Sequence, residues 1–296
     1  MSGKMTLSKI LLPVEFSERC CGAARQAEAL ASRFHSELVL MHVLPRLPTV
    51  YGGAGEVSAF YALPDVPEER LAYGQAELER FPGDIPPDIK VCRMVLEGDP
   101  ARCIVHYAHS AKVDLIVMPT HAYGTFRRFL LGSVAAKVLH DVNRPVWTGP
   151  HLEAAPQWER FEVRRVACAV DLGPHSHAVL EWAAGLAAEF EAELTVVHAI
   201  GVSNASVGPF YFDPQWRGQM TRRAAECVDE LIRGLEVRAD GRVLTGEVAQ
   251  AVSTAVRDLR ADVLVIGRSQ ESGVLGRLRA NAYAIIRESP CPVVSI

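Results

Sequence analysis

The residues with the clearest chemical potential in this sequence lie next to short apolar runs. Glu15 follows one such run, Asp171 follows another, and Gly132 and Ser133 precede a segment with helical spacing. A carboxylate accepts hydrogen bonds from hydroxyl or amino groups. Backbone N–H groups at the start of a helix attract anions. These groups are suited to hold a ligand through hydrogen bonds.

Common motifs for catalysis and for phosphate or dinucleotide binding are absent from the sequence. It contains no GxSxG turn, no Walker phosphate loop and no glycine-rich dinucleotide fingerprint. No nucleophile stands in a recognisable pattern with a base that could activate it. We therefore predict no catalytic residues.

Histidines form two incomplete metal-binding patterns. His106 and His109 lie three positions apart on a predicted helix, and His175 and His177 follow Asp171 closely. A zinc site needs about four ligands in a tetrahedral arrangement. Neither pattern supplies an evident full set, so we predict no metal.

The sequence contains one internal repeat. The apolar run before Glu15 is matched by the run before Asp171, 156 positions later, and residues 31–42 match residues 187–198 at the same offset. Later matches keep their order at offsets of 148 and 147 positions. Ordered matches over the whole length indicate a duplicated domain.

Each copy alternates strand-like and helix-like segments. In the first copy, the predicted strands span residues 10–14, 37–43, 89–95, 114–118 and 145–148. Short, β-branched apolar runs without strict alternation indicate parallel strands buried on both faces. Strands that alternate with helices predict a doubly wound sheet. The predicted fold class is α/β, with two tandem doubly wound parallel five-stranded sheets of Rossmann-like type.

Several helix starts are predicted from local residues. Carboxylates at Asp99 and Glu247 favour helix N-termini at those points, and Pro214 suits the first turn of a helix. One face of the predicted helix 214–233 carries Trp216, Met220, Cys227 and Leu231.

Domain boundaries follow from the repeat and from proline- and glycine-rich stretches. We expect one domain at 1–149 and a second at 162–296, joined by a linker at 150–161. The stretch 45–67 is rich in Gly, Pro and Ala and is predicted to be a long surface loop, for which the roles of lid, partner contact or mobile segment stay open.

Composition limits the class of protein and of partner. Hydrophobic residues make up 49% of the 296 residues, and the net charge is -4 without a basic block. We therefore expect no nucleic-acid partner. No apolar run reaches the roughly 18 residues that span a bilayer, and the first residues lack a secretory pattern. Seven cysteines without a CxxC pair predict reduced thiols in the cytoplasm.

The two copies resemble domains of the universal stress protein (UspA-type) family. The ATP-binding members of that family carry a glycine, two residues, a second glycine, nine residues, and then Gly-Ser or Gly-Thr. In the first copy, Pro119 and Ala122 occupy the two single-glycine positions, whereas Gly132 and Ser133 are retained. Glu15 stands where the family usually has aspartate.

The second copy departs from the same pattern in other places. Gly267 and Asp171 are retained, Gln270 occupies the second glycine position, and Ala280 and Asn281 replace Gly-Ser. The histidines at equivalent strand ends, His42 and His198, resemble a usual family histidine and are interpreted as structural.

The resemblance implies the adenine nucleotide alpha hydrolase-like fold and a site for ATP or a related adenine nucleotide. In the first copy it implies binding by Pro13, Val14, Glu15, Val43, Met118, Pro119, Ala122, Gly132, Ser133 and Val134. In the second copy it implies a weaker site at Val170, Asp171 and Gly267.

The substitutions weaken these sites to different degrees. Pro119 cannot donate a backbone hydrogen bond or adopt a positive φ, and Ala122 tolerates a positive φ only at a cost of roughly 1 kcal/mol. We expect the first site to be damaged but not abolished. An alternative needs no ligand: Ser133 caps a helix, Glu15 and Asp171 are surface carboxylates, and Gly267 only turns the chain.

Three functions remain open at this point. The first is a regulatory stress-response module that binds an adenine nucleotide in its first domain. The second is a scaffold or interaction protein without a nucleotide, and the third is a slow ATP hydrolase.

The resemblance also implies how the domains assemble. The final predicted strands, at 145–147 and 292–296, are apolar edge strands that need a partner. We expect them to pair with each other as an intramolecular pseudo-dimer. This arrangement leaves room for a further homodimer and for an unidentified regulatory protein.

Overall fold

The structure is a computed structural model of the 296-residue chain. It describes residues 5–46, 68–81, 85–120, 131–149, 161–201, 214–268 and 276–296. Ala122, Gln270, most of the predicted loop 45–67 and nearly all of the predicted linker lie outside the described residues.

Strands and helices alternate along both halves. The strands are β1 (Lys9–Val14), β2 (Glu37–Leu44), β3 (Val91–Glu97), β4 (Leu115–Val117), β5 (Val146–Thr148), β6 (Arg165–Ala169), β7 (Glu193–Gly201), β8 (Ala239–Gly246), β9 (Val263–Ile266) and β10 (Val293–Ser295). The helices are α1 (Glu18–Phe34), α2 (Glu68–Arg80), α3 (Pro100–Ser110), α4 (Ser133–Asp141), α5 (Ser176–Phe190), α6 (Pro214–Arg233), α7 (Val248–Leu259) and α8 (Gly276–Glu288).

All ten of these strands form one sheet. Its order is β3-β2-β1-β4-β5-β10-β9-β6-β7-β8. The five strands of each half are parallel, as predicted for the α/β class. Where the halves meet, β10 runs antiparallel to β5, with Val294 opposite Trp147. The two five-stranded sheets are therefore continuous with each other.

Polar side chains start several helices. Ser17 accepts a hydrogen bond from the backbone N–H of Cys20 at 3.3 Å, and Asp99 accepts one from the N–H of Arg102 at 2.8 Å. Glu247 accepts from the N–H groups of Ala249 and Gln250. These contacts satisfy N–H groups that have no partner inside the helix. The predicted starts at Asp99, Glu247 and Pro214 are confirmed.

Strand β3 begins two residues later than predicted. The backbone N–H of Ile89 donates to the carbonyl of Pro86 at 3.1 Å, which closes a turn before the strand. Ile89 is buried, so its apolar character reflects packing of that turn rather than a place in the strand.

The core lies on both faces of the sheet. Leu12 faces an apolar cluster on one side and Leu11 faces a second cluster on the other, and both side chains are fully buried. Each cluster contains residues from both halves, including Val166 in the first and Leu264 in the second. The hydrophobic core therefore crosses the boundary between the halves.

Helix α6 packs through the face that includes Leu231. Ala224 and Val228 are buried and Leu231 packs against the core, whereas Met220, one turn before Ala224, is 37% exposed. The buried stripe follows positions spaced four and three residues apart and is covered only from Ala224 onwards among these residues. The side chain of Trp216 lies outside the described residues.

Helices α1 and α5 bring the halves together beside the sheet. Arg33 donates to the backbone carbonyl of Glu189 and pairs with its carboxylate at 3.4 Å. Its guanidinium lies 5.3 Å from the ring centre of Phe190. Phe34 meets Phe190 edge to face at 6.2 Å.

No helix among the described residues has the length and apolar character needed to cross a bilayer.

Candidate ligand-binding site

The carboxyl ends of β1, β2 and β4 meet at one edge of the first half. Together with α3 and the start of α4, they surround a cavity of about 180 Å³. This is the place where open parallel sheets hold ligands. The first cavity is lined by Pro13, Val14, Glu15, Met41, His42, Val43, Pro100, Ile104, Met118, Pro119, Thr120, Gly132, Ser133, Val134 and Ala135.

The residues predicted for the first site converge on this cavity. All of them line it except Ala122, which lies outside the described part of the chain. His42, which was interpreted as structural, also lines it. Five further lining residues were not predicted: Met41, Pro100, Ile104, Thr120 and Ala135. The spacing from Asp99, which starts α3, could have indicated that Ile104 lies in the first turns of that helix.

Glu15 is held at the mouth of β1 by a tight turn. Phe16 has a positive φ of 61°, and the Ser17 hydroxyl donates to Oε1 of Glu15 at 2.8 Å. Glu15 is only partly buried. The carboxylate is therefore oriented by its own turn and can accept a further hydrogen bond from a ligand.

His42 fixes the end of β1 against β2. Its Nδ1 lies 2.8 Å from the carbonyl oxygen of Val14. A carbonyl only accepts hydrogen bonds, so Nδ1 carries the proton and Nε2 is the acceptor in the neutral ring. His198 makes the same contact with the carbonyl of Val170 at 2.9 Å. The two histidines therefore hold equivalent strand ends.

The start of α4 supplies the donors of the first cavity. Gly132 is the N-cap, in an extended conformation, and no side chain caps the helix. The interpretation of Ser133 as the N-cap was therefore wrong. The first intrahelical bond runs from the N–H of Ala136 to the carbonyl of Gly132 at 2.8 Å. The N–H groups of Ser133, Val134 and Ala135 precede it and have no partner within the helix.

Pro119 is accommodated because the backbone around it is already paired. The N–H of Met118 donates to the carbonyl of Trp147 at 3.0 Å, and the carbonyl of Thr120 accepts from the N–H of Gly132 at 2.7 Å. Pro119 is not among the residues with positive φ. Proline therefore fits here, although it removes one possible donor to a ligand.

The equivalent edge of the second half holds a cavity of about 160 Å³. Val170, Asp171 and Gly267 line it, as do His198 and Asn281. Asp171 is exposed, and its Oδ1 accepts from the N–H of Gly173 at 2.8 Å and from the hydroxyl of Ser176 at 3.0 Å.

Gly267 has a packing reason to be glycine. A Cβ at this position would lie 3.0 Å from Cγ2 of Val179, which is closer than ordinary contact. Its φ is not positive. Close approach of α5 to the sheet therefore accounts for this glycine without a ligand.

The histidine patterns considered for metal binding make other contacts. Nε2 of His109 accepts from the N–H of Asn143 at 3.2 Å, and Nδ1 of His177 lies 3.4 Å from Oε1 of Glu181. Within the described ranges, no group of three or more His, Cys, Asp or Glu side chains could hold a metal ion.

Comparison with known proteins places both halves in one family. The model of the universal stress protein family matches residues 6–148 and again residues 162–296. The chain belongs to the universal stress protein family. Each half matches the family model separately, so the chain contains two domains of this family.

Curated relatives align with about half of the chain. A universal stress protein of Methanocaldococcus jannaschii is 31% identical over 145 residues, which cover 49% of this chain and 83% of that protein. Universal stress protein A homolog 1 of Coxiella burnetii is 28% identical over 45% of this chain and 95% of its own length.

Solved structures match the whole chain. A universal stress protein from Archaeoglobus fulgidus aligns with a TM-score of 0.64 at 19% identity, covering 98% of this chain and 96% of its own. A protein of unknown function from Pseudomonas aeruginosa aligns at 0.66 and 16% identity, covering 98% and 92%. These likenesses show the shared fold, which is Rossmann-like.

Proposed function

We propose that the first half binds an adenine nucleotide, with its phosphates at the start of α4. The observation that carries this proposal is an uncapped helix N-terminus that opens into a cavity at the switch point of the sheet. The N–H groups of Ser133 and Val134 and the positive end of the helix dipole attract a phosphate. Membership of the universal stress protein family supports the adenine nucleotide as the ligand class.

The rest of the first cavity suits the nucleoside part. Val14, Met41, Val43 and Ile104 provide apolar surface for a flat base. Glu15 is oriented by Ser17 and can accept a hydrogen bond from a ribose hydroxyl. Both groups lie at strand ends in the same cavity as the start of α4.

We propose weaker nucleotide binding in the second half, at Val170, Asp171 and Gly267. Two features support the difference. Oδ1 of Asp171 is already occupied by two donors within its own turn, and Asn281 stands where the first half has Ser133 at the start of α4. Helix α8 begins at Gly276, so Asn281 lies inside it. A helix interior offers no unpaired N–H groups to a phosphate.

We propose that the protein acts by binding rather than by turnover. The hydroxyl of Ser17 orients the Glu15 carboxylate as an acceptor at 2.8 Å, and Nδ1 of His42 is engaged by the carbonyl of Val14. Both contacts support a binding role for the first cavity. On this account it is a regulatory module of a stress response. Its two domains, at 1–149 and 162–296, assemble as a pseudo-dimer through β5 and β10. Its cysteines are free thiols, which supports a reducing, cytoplasmic location.

The test removes one N–H donor without disturbing the helix. Proline is favoured at the first helical position, and Gly132, at φ -61° and ψ 146°, already has the conformation that precedes proline. We expect Ser133→Pro to weaken ATP binding about tenfold or more, because a hydrogen bond to a charged group contributes roughly 1.5–3 kcal/mol. Ser133→Ala keeps the N–H and should retain most of the affinity. Isothermal titration calorimetry measures both.

A second pair of variants separates the two cavities. Glu15→Gln should weaken ATP binding, whereas Asp171→Asn should leave the stronger site unchanged. Absence of ATP binding by the unaltered protein at millimolar nucleotide would favour the scaffold function. Equal affinity of Ser133→Pro and the unaltered protein would remove α4 from the site.

A further inference from the structure

An arginine from the second half holds the end of α4 in the first half. Arg268 follows β9, and its Nη1 donates to the carbonyl of Leu139 at 2.9 Å. Its Nη2 donates to the carbonyl of Arg144 at 2.6 Å. One guanidinium therefore joins the last turn of α4 to the segment that leads into β5.

The carbonyl of Leu139 needs such a donor. In a longer helix it would accept from the N–H of Asn143, four residues further on. That N–H donates instead to Nε2 of His109, while the preceding carbonyl, of Val138, accepts from the N–H of Val142. Arg268 thus satisfies a helix-end carbonyl that its own chain segment leaves unpaired.

A second contact from the same half reaches α4. The hydroxyl of Tyr283, on α8, donates to the carbonyl of Ala136 at 3.1 Å. Arg268 and Tyr283 therefore attach α4 at two successive turns. Both side chains belong to the second half, and all three carbonyls that they contact belong to the first.

The charge of Arg268 suits its position. A cation near the C-terminal end of a helix interacts favourably with the helix dipole. Burial lowers the pKa of Arg268 to about 10, so the guanidinium stays charged at neutral pH. Its Nε is buried and has no hydrogen-bond partner among the described residues. The two hydrogen bonds to the carbonyls of Leu139 and Arg144 therefore hold the buried guanidinium in position.

The opposite end of α4 forms the donor side of the first cavity. The helix spans only nine residues, about 14 Å at 1.5 Å per residue. A helix this short moves as a rigid unit, so a displacement of its C-terminal end also displaces its N-terminal end. The position equivalent to Arg268 in the first half is Thr120, which has no guanidinium and cannot form the same two-pronged contact.

We propose that Arg268 is a positioning residue for the first cavity, so that the second half fixes the helix start that binds the ligand phosphate. This proposal rests on the proposed function for its ligand. Gly267, which lines the second cavity, directly precedes Arg268, which holds α4. The second half therefore contributes to the first site through α4 and not through direct contact with the ligand.

The test compares two arginines that cross the boundary between the halves. In the full chain, Arg268→Met keeps an unbranched apolar stem and removes the donors, and Arg268→Lys keeps the charge without the planar pair of guanidinium donors. Arg33→Met is the matched control, because Arg33 also donates to a carbonyl of the other half but contacts α5. Amide hydrogen exchange of residues 133–141 is measured without ligand. Affinity is measured with a fluorescent ATP analogue.

We expect Arg268→Met to speed exchange in α4 and to weaken analogue binding, each by roughly 2- to 30-fold, the range of measured coupling effects. Arg268→Lys should lie between it and the unaltered protein. Arg33→Met should change neither quantity by more than the error of measurement. If Arg268→Met does not fold, Arg268→Lys carries the comparison.

Other outcomes overturn the inference. Unchanged exchange in α4, faster exchange with unchanged analogue affinity, or equal effects of Arg268→Met and Arg33→Met would each do so. If the unaltered protein binds no analogue, the proposed function fails separately. Exchange in α4 then decides alone whether Arg268 holds the helix.

Discussion

At the level of single residues, Asp99 links two helices beside the first cavity. It caps α3 through the N–H of Arg102 at 2.8 Å and accepts from Nζ of Lys137, on α4, at 3.1 Å. The hydrogen bond from Arg102, followed by that from Lys137, lowers the pKa of Asp99 below its usual 3.8. Since Pro100 lines the cavity, this contact helps to set its wall.

We predict that Asp99→Ala lowers the free energy of unfolding by about 1 kcal/mol at neutral pH, as for loss of a helix N-cap. Because the folded pKa is depressed, this stabilisation is complete above the unfolded pKa and is lost as the pH falls through the folded value. Urea unfolding from pH 7 downwards measures it. The difference between the variant and the unaltered protein should shrink below about pH 4.

Asp88→Ala is the control for this experiment, since Asp88 is exposed in the turn before β3 and should show little change. A difference for Asp99→Ala that stays constant into the acid range would contradict the capping account.

Residues at strand ends and at the start of the last helix of the first half could be placed from the sequence alone. The segment ending at Glu15 and the pair Gly132 and Ser133 reach one cavity because parallel strands end at one edge. The choice of N-cap could not be read in the same way. A serine after a glycine suggests a cap, but here the carbonyl of Gly132 accepts the first intrahelical bond, from the N–H of Ala136, so Gly132 is the N-cap.

At the level of elements, α1 is joined to β5 by a buried polar contact. Nε1 of Trp147 donates to Oε1 of Gln26 at 2.5 Å, and both side chains are buried. Trp147 stands opposite Val294 in the antiparallel pair of strands. This bond therefore orients the largest side chain at the junction of the two five-stranded sheets.

We predict that Gln26→Met lowers the free energy of unfolding by about 1–3 kcal/mol, because a buried indole N–H loses its acceptor. Adding Trp147→Phe should cost less in the Gln26→Met background than alone, since the donor is then already unpaired. Urea unfolding of the four proteins measures the coupling. Gln250→Met, on the exposed face of α7, is the control. Additive losses would show that the bond does not stabilise the junction.

The order and type of the elements could be predicted from the periodicity of the sequence. Their exact bounds and the residues that they bury depended on packing. The apolar residue Ile89 looked like part of β3 but is buried in a turn. On α6, Met220 shares a face with Leu231 but is 37% exposed, whereas Ala224 and Val228 are buried. How much of an apolar helix face is covered depends on where the helix meets the sheet, which sequence character alone does not reveal.

At the level of the whole molecule, the halves carry opposite charges at equivalent positions. Arg33 and Glu189 are 156 positions apart, the offset of the repeat, and they face each other across the junction. Two identical halves would bring like charges together at this place. The divergence of the copies therefore favours pairing of the first half with the second.

We predict that Arg33→Glu destabilises the protein by about 1 kcal/mol or more, because two carboxylates then meet and the contact with Phe190 is lost. Combining it with Glu189→Arg should restore part of the loss. Thermal unfolding at low salt measures both, and the effect should diminish as salt is added. If the double variant loses as much stability as the two single variants together, or more, charge complementarity does not contribute to the pairing.

Contacts between the halves were the least accessible to sequence reasoning. Arg268 and Leu139 are 129 residues apart, and nothing in the spacing around Arg268 distinguishes it from a surface arginine. Its position depends on β5 and β10 lying side by side, which brings the loop after β9 to the end of α4. Only the assembled sheet reveals that contact.

The central claim is that an adenine nucleotide binds at the start of α4 in the first half. Its most direct test is a crystal structure of the full chain grown with ATP. We expect nucleotide density between Glu15 and Gly132, with phosphate oxygens within hydrogen-bond distance of the N–H groups of Ser133 and Val134. An empty first cavity at saturating ATP, or nucleotide held only beside Asp171, would contradict the account.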